Sequence, residues 1–253
     1  LPEEVIEKDY GCGDPSRYVK EGDVVLDLGS GSGKICYMAA QLVGGKGQII
    51  GIDMNDDMLA LARKYQMDMA EKLGNDRVSF RKGYIQDLAL NVDEMESWLA
   101  GHPVTDTASL AAFELWKQNQ KQQQPLIPDN SIDLVISNCV LNLVDDGQKK
   151  QLVEEIYRVV KPGARVAISD IVSDAIIPQH LKEDDQLWSG CISGAFQEQE
   201  MIQMFLDAGF QSVAFDLWSA DPWRVVEDIE FRSLTLTAVK PEGSECQDQG
   251  HAV

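Results

Sequence analysis

Val24-Val25-Leu26-Asp27-Leu28-Gly29-Ser30-Gly31-Ser32-Gly33 is the stretch that decides the fold. Its first five residues are aliphatic and β-branched, interrupted only by Asp27, and predict a short buried strand of a parallel sheet. The glycines at 29, 31 and 33 predict a turn in which backbone can approach a ligand with no Cβ in the way. Beyond the turn, Ile35, Met38, Ala39 and Leu42 recur at helical spacing, and Gly44-Gly45 marks the stop.

Strand and helix patterns then alternate along the chain. Gln48 to Asp53 reads as a second strand, Asp56 to Leu73 as a helix capped by Asn55 or Asp56, and Arg77 to Lys82 as a third strand. Ser131 to Asn138 follows as a strand, Lys149 to Val160 as an amphipathic helix, and Lys161-Pro162-Gly163 as a turn into a strand over Ala164 to Asp170. Such alternation predicts right-handed crossovers and a mostly parallel sheet with helices on both faces. Ser212 to Trp218 and Phe231 to Val239 are expected to add a C-terminal antiparallel pair, the feature that separates this α/β sheet from a dinucleotide-binding one. A polar interval of about 95–125 holds one helix pattern, Ala108 to Gln120, and a glutamine run with no packing logic, so it is expected to be an insertion that forms a mobile excursion or a lid. The expected organisation is a single domain over 1–240 with an N-terminal cap (1–22) and this insertion, followed by a tail (241–253).

Charge excludes several classes of partner. A net charge of −20 would repel phosphate backbones, and no basic stripe with interleaved aromatics offsets it. No apolar run approaches the roughly 20 residues of a membrane span, and the N-terminus shows no signal-peptide pattern. Neither nucleic acid nor membrane is expected. Cys12, Cys36, Cys139, Cys191 and Cys246 form an odd set without a CxxC pair, which argues against a disulfide framework and a zinc site and fits a reducing cytoplasm.

Glycine spacing chooses the cofactor. Nicotinamide enzymes use GxGxxG, whereas this turn is GxGxG followed by Lys34. A sulfonium nucleoside has no pyrophosphate to cradle, so Gly29, Ser30, Gly31 and Gly33 are expected to pass under the amino-acid end of S-adenosylmethionine, with Asp27 near its ammonium. Asp53, ending the second strand, is placed to accept both ribose hydroxyls. Ile85 and Asp87, after the third strand, supply an apolar wall and a carboxylate for adenine. Together these predict a class I methyltransferase with a Rossmann-like sheet.

Over nearly its whole length the chain also resembles the arsenite methyltransferases. The resemblance rests on Tyr10-Gly11-Cys12-Gly13, the glycine loop, Gly51-Ile52-Asp53-Met54, Ser137-Asn138-Cys139-Val140-Leu141-Asn142-Leu143, Ser169-Asp170 and Gly190-Cys191-Ile192-Ser193-Gly194-Ala195. It implies Cys12 and Cys191 as thiolate ligands of trivalent arsenic and as the catalytic pair. It further implies Tyr10, Met54 and Asn138 at the cofactor, a small-molecule or metalloid substrate, and a cellular thiol reductant. A soft, thiophilic centre is selected by thiolates, and tethering it in line with the C–S bond replaces a general base. For Cys36 and Cys139 the residues themselves favour simple packing as small buried hydrophobes.

One position departs from that family. Another arsenic-binding cysteine is usual just before the final strand, where this chain reads Val226-Glu227-Asp228-Ile229-Glu230-Phe231-Arg232-Ser233. The methyl-transfer domain of ovothiol-biosynthesis enzymes is similar to this chain in lacking it, and implies a thiohistidine acceptor as the alternative. Tyr10, Cys12, Trp188 and Cys191 suggest an acceptor pocket under either reading.

Overall fold

The computed structural model describes residues 1–8, 11, 13–184, 186–187 and 192–243. Tyr10, Cys12, Trp188, Cys191 and Cys246, all singled out above, lie outside the described residues.

Strands β1 (Val24–Leu28), β2 (Gln48–Asp53), β3 (Val78–Lys82), β4 (Ile132–Asn138), β5 (Val160–Ser173), β6 (Phe196–Gln197), β7 (Gln211–Trp218), β8 (Arg224–Val226) and β9 (Ile229–Val239) join in one sheet. The main path runs β3-β2-β1-β4-β5-β9-β7, with β6 on β5 and β8 on β9. Pairings from β3 to β5 are parallel, whereas β9 runs antiparallel to β5 and β7. The expected α/β sheet with its C-terminal antiparallel pair is therefore present, and β9 reaches its place by inserting between β5 and β7.

Successive strand residues face opposite sides, so one apolar run feeds two cores. Leu26 and Leu28 of β1 and Val135 of β4 pack in one cluster, with Leu152, Ile156 and Phe205. Val25, Leu134 and Ile136 point the other way, onto Ile35, Tyr37, Leu59 and Phe80. Helices α1 (Glu3–Glu7), α2 (Lys34–Leu42), α3 (Asp56–Lys64) and α4 (Gln66–Leu73) contribute to the second cluster, which includes Val5, Tyr37, Leu59 and Met69. Helix α7 (Asp146–Val159) and the next long helix, α9 (Glu198–Asp207), pack in the first, while α8 (Gln179–Lys182) lies in a third cluster around Ile192 and Phe231.

Three boundaries differ from the sequence expectation. The helix expected over Asp56 to Leu73 breaks at Tyr65 (φ −100°, ψ 1°), whose phenol donates to Glu4 in α1 at 2.7 Å. The segment Lys161-Pro162-Gly163 is a bulge inside β5 instead of a turn before it. Ile132 pairs with Val160 and Leu134 with Arg165, and the extra residues are accommodated with Gly163 at φ +77°. Lastly, the interval 95–125 forms a helical hairpin of α5 (Val92–Gly101) and α6 (Thr107–Gln123). Trp98 stacks on His102, Phe113 and Trp116 with centroids 4.4, 5.8 and 5.4 Å apart, which is the packing logic that the glutamine run lacks. Asp106 and Ser109 close a capping box at the start of α6. Among the described residues no helix is long and apolar enough to cross a membrane.

Candidate cofactor and acceptor site

A cavity of about 630 Å³ opens at the carboxyl ends of β1, β2, β3 and β4, where the strand order of a parallel sheet puts its loops. This is within the roughly 300–1,000 Å³ of small-molecule sites. Asp27, Gly29, Ser30, Gly31, Asp53, Met54, Ile85 and Asn138 line it, and all eight were read from the sequence.

The glycine turn is shaped by contacts with β2. The N–H groups of Gly29 and Ser30 donate to the Ile52 carbonyl at 2.8 and 2.9 Å, and that of Gly31 to Asp53 Oδ2 at 2.8 Å. Gly29 sits at φ +69°, and a Cβ built there would lie 2.4 Å from Val140 Cγ1, so only glycine fits. Asp53 Oδ1 accepts from Asn55 N at 2.9 Å. Each carboxylate oxygen thus holds one backbone N–H and keeps lone-pair capacity for a ribose hydroxyl. Ser30 Oγ is buried without a partner among the described residues, a polar atom awaiting one. Asp27 is 2% exposed and accepts from the Cys36 thiol at 3.2 Å. Carboxylates at β1 and β2 and an apolar wall at β3 fit an amino-acid end, a ribose and a base laid across the sheet, so these residues suit S-adenosylmethionine.

Gly33 and Asp87 stand apart from the lining. Gly33, at φ +83°, is the N-cap of α2. Asp87 closes a turn with Tyr84, and its carboxylate is paired with Lys121, so it ties α6 to this turn. The same turn brings Gln86 into the lining beside Ile85. Sequence reasoning passed over Gln86 because the neighbouring carboxylate was the chemically louder residue, and a one-residue rotation in a turn leaves no periodic trace.

Around the other mouth of the cavity, Asn138 spends its amide on the N-terminal segment. Gly13 N donates to Asn138 Oδ1 and Asn138 Nδ2 to the Gly13 carbonyl, both at 2.9 Å. A Cβ on Gly11 would lie 1.9 Å from Asn138 Nδ2. Cys139, at φ +58°, lines the cavity and is disulfide-bonded, whereas Cys36 is a buried free thiol. Cys36 is packed in the core as expected, whereas the disulfide takes Cys139 beyond simple packing. Cys139 also belongs to the apolar cluster that contains Ile192 and Ala195.

Two buried polar groups that do not line the cavity tie neighbouring segments together. Asp170 accepts from Leu141 N at 3.0 Å and Ile171 N at 2.8 Å, and its burial pushes the carboxyl up to about 7. Lys149, 4% exposed, donates to Asp146 at 2.6 Å and the Gly194 carbonyl at 2.7 Å, with its ammonium 4.4 Å from the Phe196 ring centre.

A methyltransferase-domain family model matches residues 19–111 and 106–209. The chain is 33% identical to the arsenite methyltransferase of Aquipseudomonas alcaligenes over 99% of its own length and 64% of the relative. Against the human arsenite methyltransferase it is 32% identical, over 94% of this chain and 56% of that one. It therefore spans a little over half to about two thirds of these relatives. Among solved structures, an arsenic(III) S-adenosylmethionine methyltransferase from Chlamydomonas reinhardtii superposes with a TM-score of 0.71 at 30% identity, covering 96% of this chain and 72% of that one.

Proposed function

Since the chain belongs to the arsenite methyltransferase family and is an S-adenosylmethionine-dependent methyltransferase, we propose that its acceptor is trivalent arsenic held by Cys12 and Cys191. The observation that carries this reading is a convergence. Gly11 and Gly13, flanking Cys12 in sequence, meet Asn138, while Ile192, following Cys191, packs with Cys139, and Asn138 and Cys139 both line the cofactor cavity.

When bound, S-adenosylmethionine supplies an electrophilic methyl group on its sulfonium. Asp53, the glycine turn and Asp27 bind and orient it across the strand ends. Two thiolates hold the arsenic with its lone pair toward that methyl. The lone pair forms the As–C bond, the C–S electrons leave with the thioether product, and arsenic rises formally from three to five. No proton has to be removed, so the site needs no general base, and positioning carries the rate. A thiol reductant is the expected partner, because arsenic-binding cysteines act as thiolates and one cysteine of this wall, Cys139, is disulfide-bonded. A reducing cytoplasm suits that requirement.

Titrating arsenite into the reduced protein should quench tryptophan fluorescence, and Cys191→Ser should remove the response. Wild type that neither binds arsenite nor methylates it in the presence of cofactor sinks this reading. The second reading, a thiohistidine acceptor, is favoured by the β8–β9 turn, which carries Glu227 and Asp228 at positive φ and no cysteine. It predicts methyl transfer to the imidazole in that same assay with arsenite replaced.

A further inference from the structure

Cys36 lies in the first turn of α2, fully buried behind the glycine turn and among Ile35, Tyr37, Ala39 and Phe80. It takes no part in the chemistry above. Its thiol donates to Asp27 Oδ2 at 3.2 Å. We propose that Cys36 is a positioning residue for cofactor binding: its S–H spans the buried side of the glycine turn and fixes the Asp27 carboxylate that lines the cavity.

The geometry supports this in three ways. Asp27 is the last residue but one of β1 and Cys36 lies in the first turn of α2, so their contact closes the turn from Gly29 to Gly33 with a side-chain link. Asp27 is 2% exposed, and a carboxyl group so buried needs hydrogen-bond partners to hold it in one orientation. Burial, reinforced by Asp27 itself, pushes the Cys36 thiol well above its ordinary range, so the sulfur keeps its proton and remains a donor. A thiol is a weak donor to a neutral acceptor, but a charged acceptor strengthens the bond. The inference rests on the reading of Asp27 as a cofactor-site carboxylate.

Calorimetry with S-adenosylmethionine and S-adenosylhomocysteine on the full chain tests it, together with infrared spectra of the S–H stretch. Denaturation midpoints are measured first, and Cys36→Val, which fills the thiol's space with apolar atoms and about one extra methyl, keeps the test open should Cys36→Ala collapse. Cys36→Ala and Cys36→Val are expected to weaken binding of both ligands about tenfold or more, the scale for a hydrogen bond to a charged group. Cys36→Ser, which restores a donor while placing a more polar atom in an apolar cluster, should lower the denaturation midpoint yet bind within about threefold of wild type. That opposition of stability and affinity is not expected of a residue that only packs. The S–H band assigned by difference against Cys36→Ser should shift in Asp27→Asn and on adding cofactor.

The inference is overturned if Cys36→Ala and Cys36→Val bind like wild type, if Cys36→Ser binds as poorly as Cys36→Ala, or if the band ignores Asp27→Asn. The Asp27→Asn protein also separates the two readings. Normal cofactor binding by Asp27→Asn defeats the cofactor-site reading of Asp27, whereas weak binding there with normal binding in Cys36→Ala defeats the role of Cys36 alone.

Discussion

Replacing Gly29 by Ala tests the geometry of the cofactor turn at its tightest point. At φ +69° an L-residue costs roughly 1–2 kcal/mol over glycine, and the new Cβ would meet Val140 Cγ1 at 2.4 Å and Cγ2 at 2.6 Å. Overpacking of that kind costs about 1–3 kcal/mol, while the stiffer unfolded chain returns roughly 0.4–1 kcal/mol. The net expectation is a loss of about 1–5 kcal/mol. Val140→Ala alone removes two methyls from a half-buried side chain and should cost no more than about 1–2 kcal/mol, since Ile→Val in a full core costs roughly 0.5–1.5. In Gly29→Ala/Val140→Ala the two closest clashes disappear, while the Cβ that alanine retains at position 140, 2.8 Å from the new Cβ, leaves a smaller one beside the torsional cost. The double variant should therefore be more stable than additivity predicts by about 1–3 kcal/mol. Urea denaturation of the four proteins measures the cycle, and calorimetry with S-adenosylmethionine shows whether the repaired turn also binds. Strict additivity, or a Gly29→Ala protein within about 0.5 kcal/mol of wild type, refutes the reasoning.

Asp53→Ala should weaken S-adenosylmethionine binding at least a hundredfold, because it removes the acceptor of Gly31 N and Asn55 N as well as the ribose contact; unchanged calorimetric affinity contradicts the assignment. Asp170 gives a signed pH effect. Its folded carboxyl titrates at about 7 against 3.8 when unfolded, so its contribution is fully present below pH 3.8 and is lost as pH rises to about 7. Each tenfold change in proton affinity is about 1.4 kcal/mol, so stability should fall by up to ~4 kcal/mol across that window. Asp170→Asn should lack that component in urea midpoints taken between pH 4.5 and 8. Lys149→Met leaves the Gly194 carbonyl without its ammonium and should raise the acceptor KM while cofactor affinity stays within about twofold; equal effects on both would place Lys149 outside the acceptor wall.

The sequence exposed the cofactor half of the site because short-range rules govern it. Strand β1, three glycines and α2 are contiguous, and Asp53 is found by the end of a run that reads as a strand. The acceptor half depends on pairings that no local pattern encodes. Gly13 meets Asn138 across 125 residues, and Lys149 meets Gly194 across 45. The inserted hairpin shows the same limit. Its glutamines were legible as polar, but Trp98, Phe113 and Trp116 form a stack only after two helices are brought together, and Lys121 reaches Asp87 only from that hairpin. The bulge at Lys161-Pro162-Gly163 looked like a turn because proline and glycine punctuate both; the register of β4 against β5 decides between them.

The two halves also differ in what a substitution can change. Most of the cofactor side is held through backbone N–H groups: Gly29 and Ser30 donate to Ile52, Gly31 and Asn55 to Asp53, with the Cys36 thiol on Asp27 as the side-chain link. Such a frame tolerates little variation, because altering one residue moves peptide groups that all of its neighbours use. Asn138, Asp170 and Lys149, by contrast, are single side chains that each bridge separate segments. Replacing one of them, or the two carboxylates at the tip of the β8–β9 turn, re-aims a loop without disturbing the strand ends beneath. Acceptor choice can therefore diverge while cofactor binding is kept. On the proposed function, the absence of a cysteine between Val226 and Phe231 bears on the acceptor and not on the glycine turn that binds the cofactor.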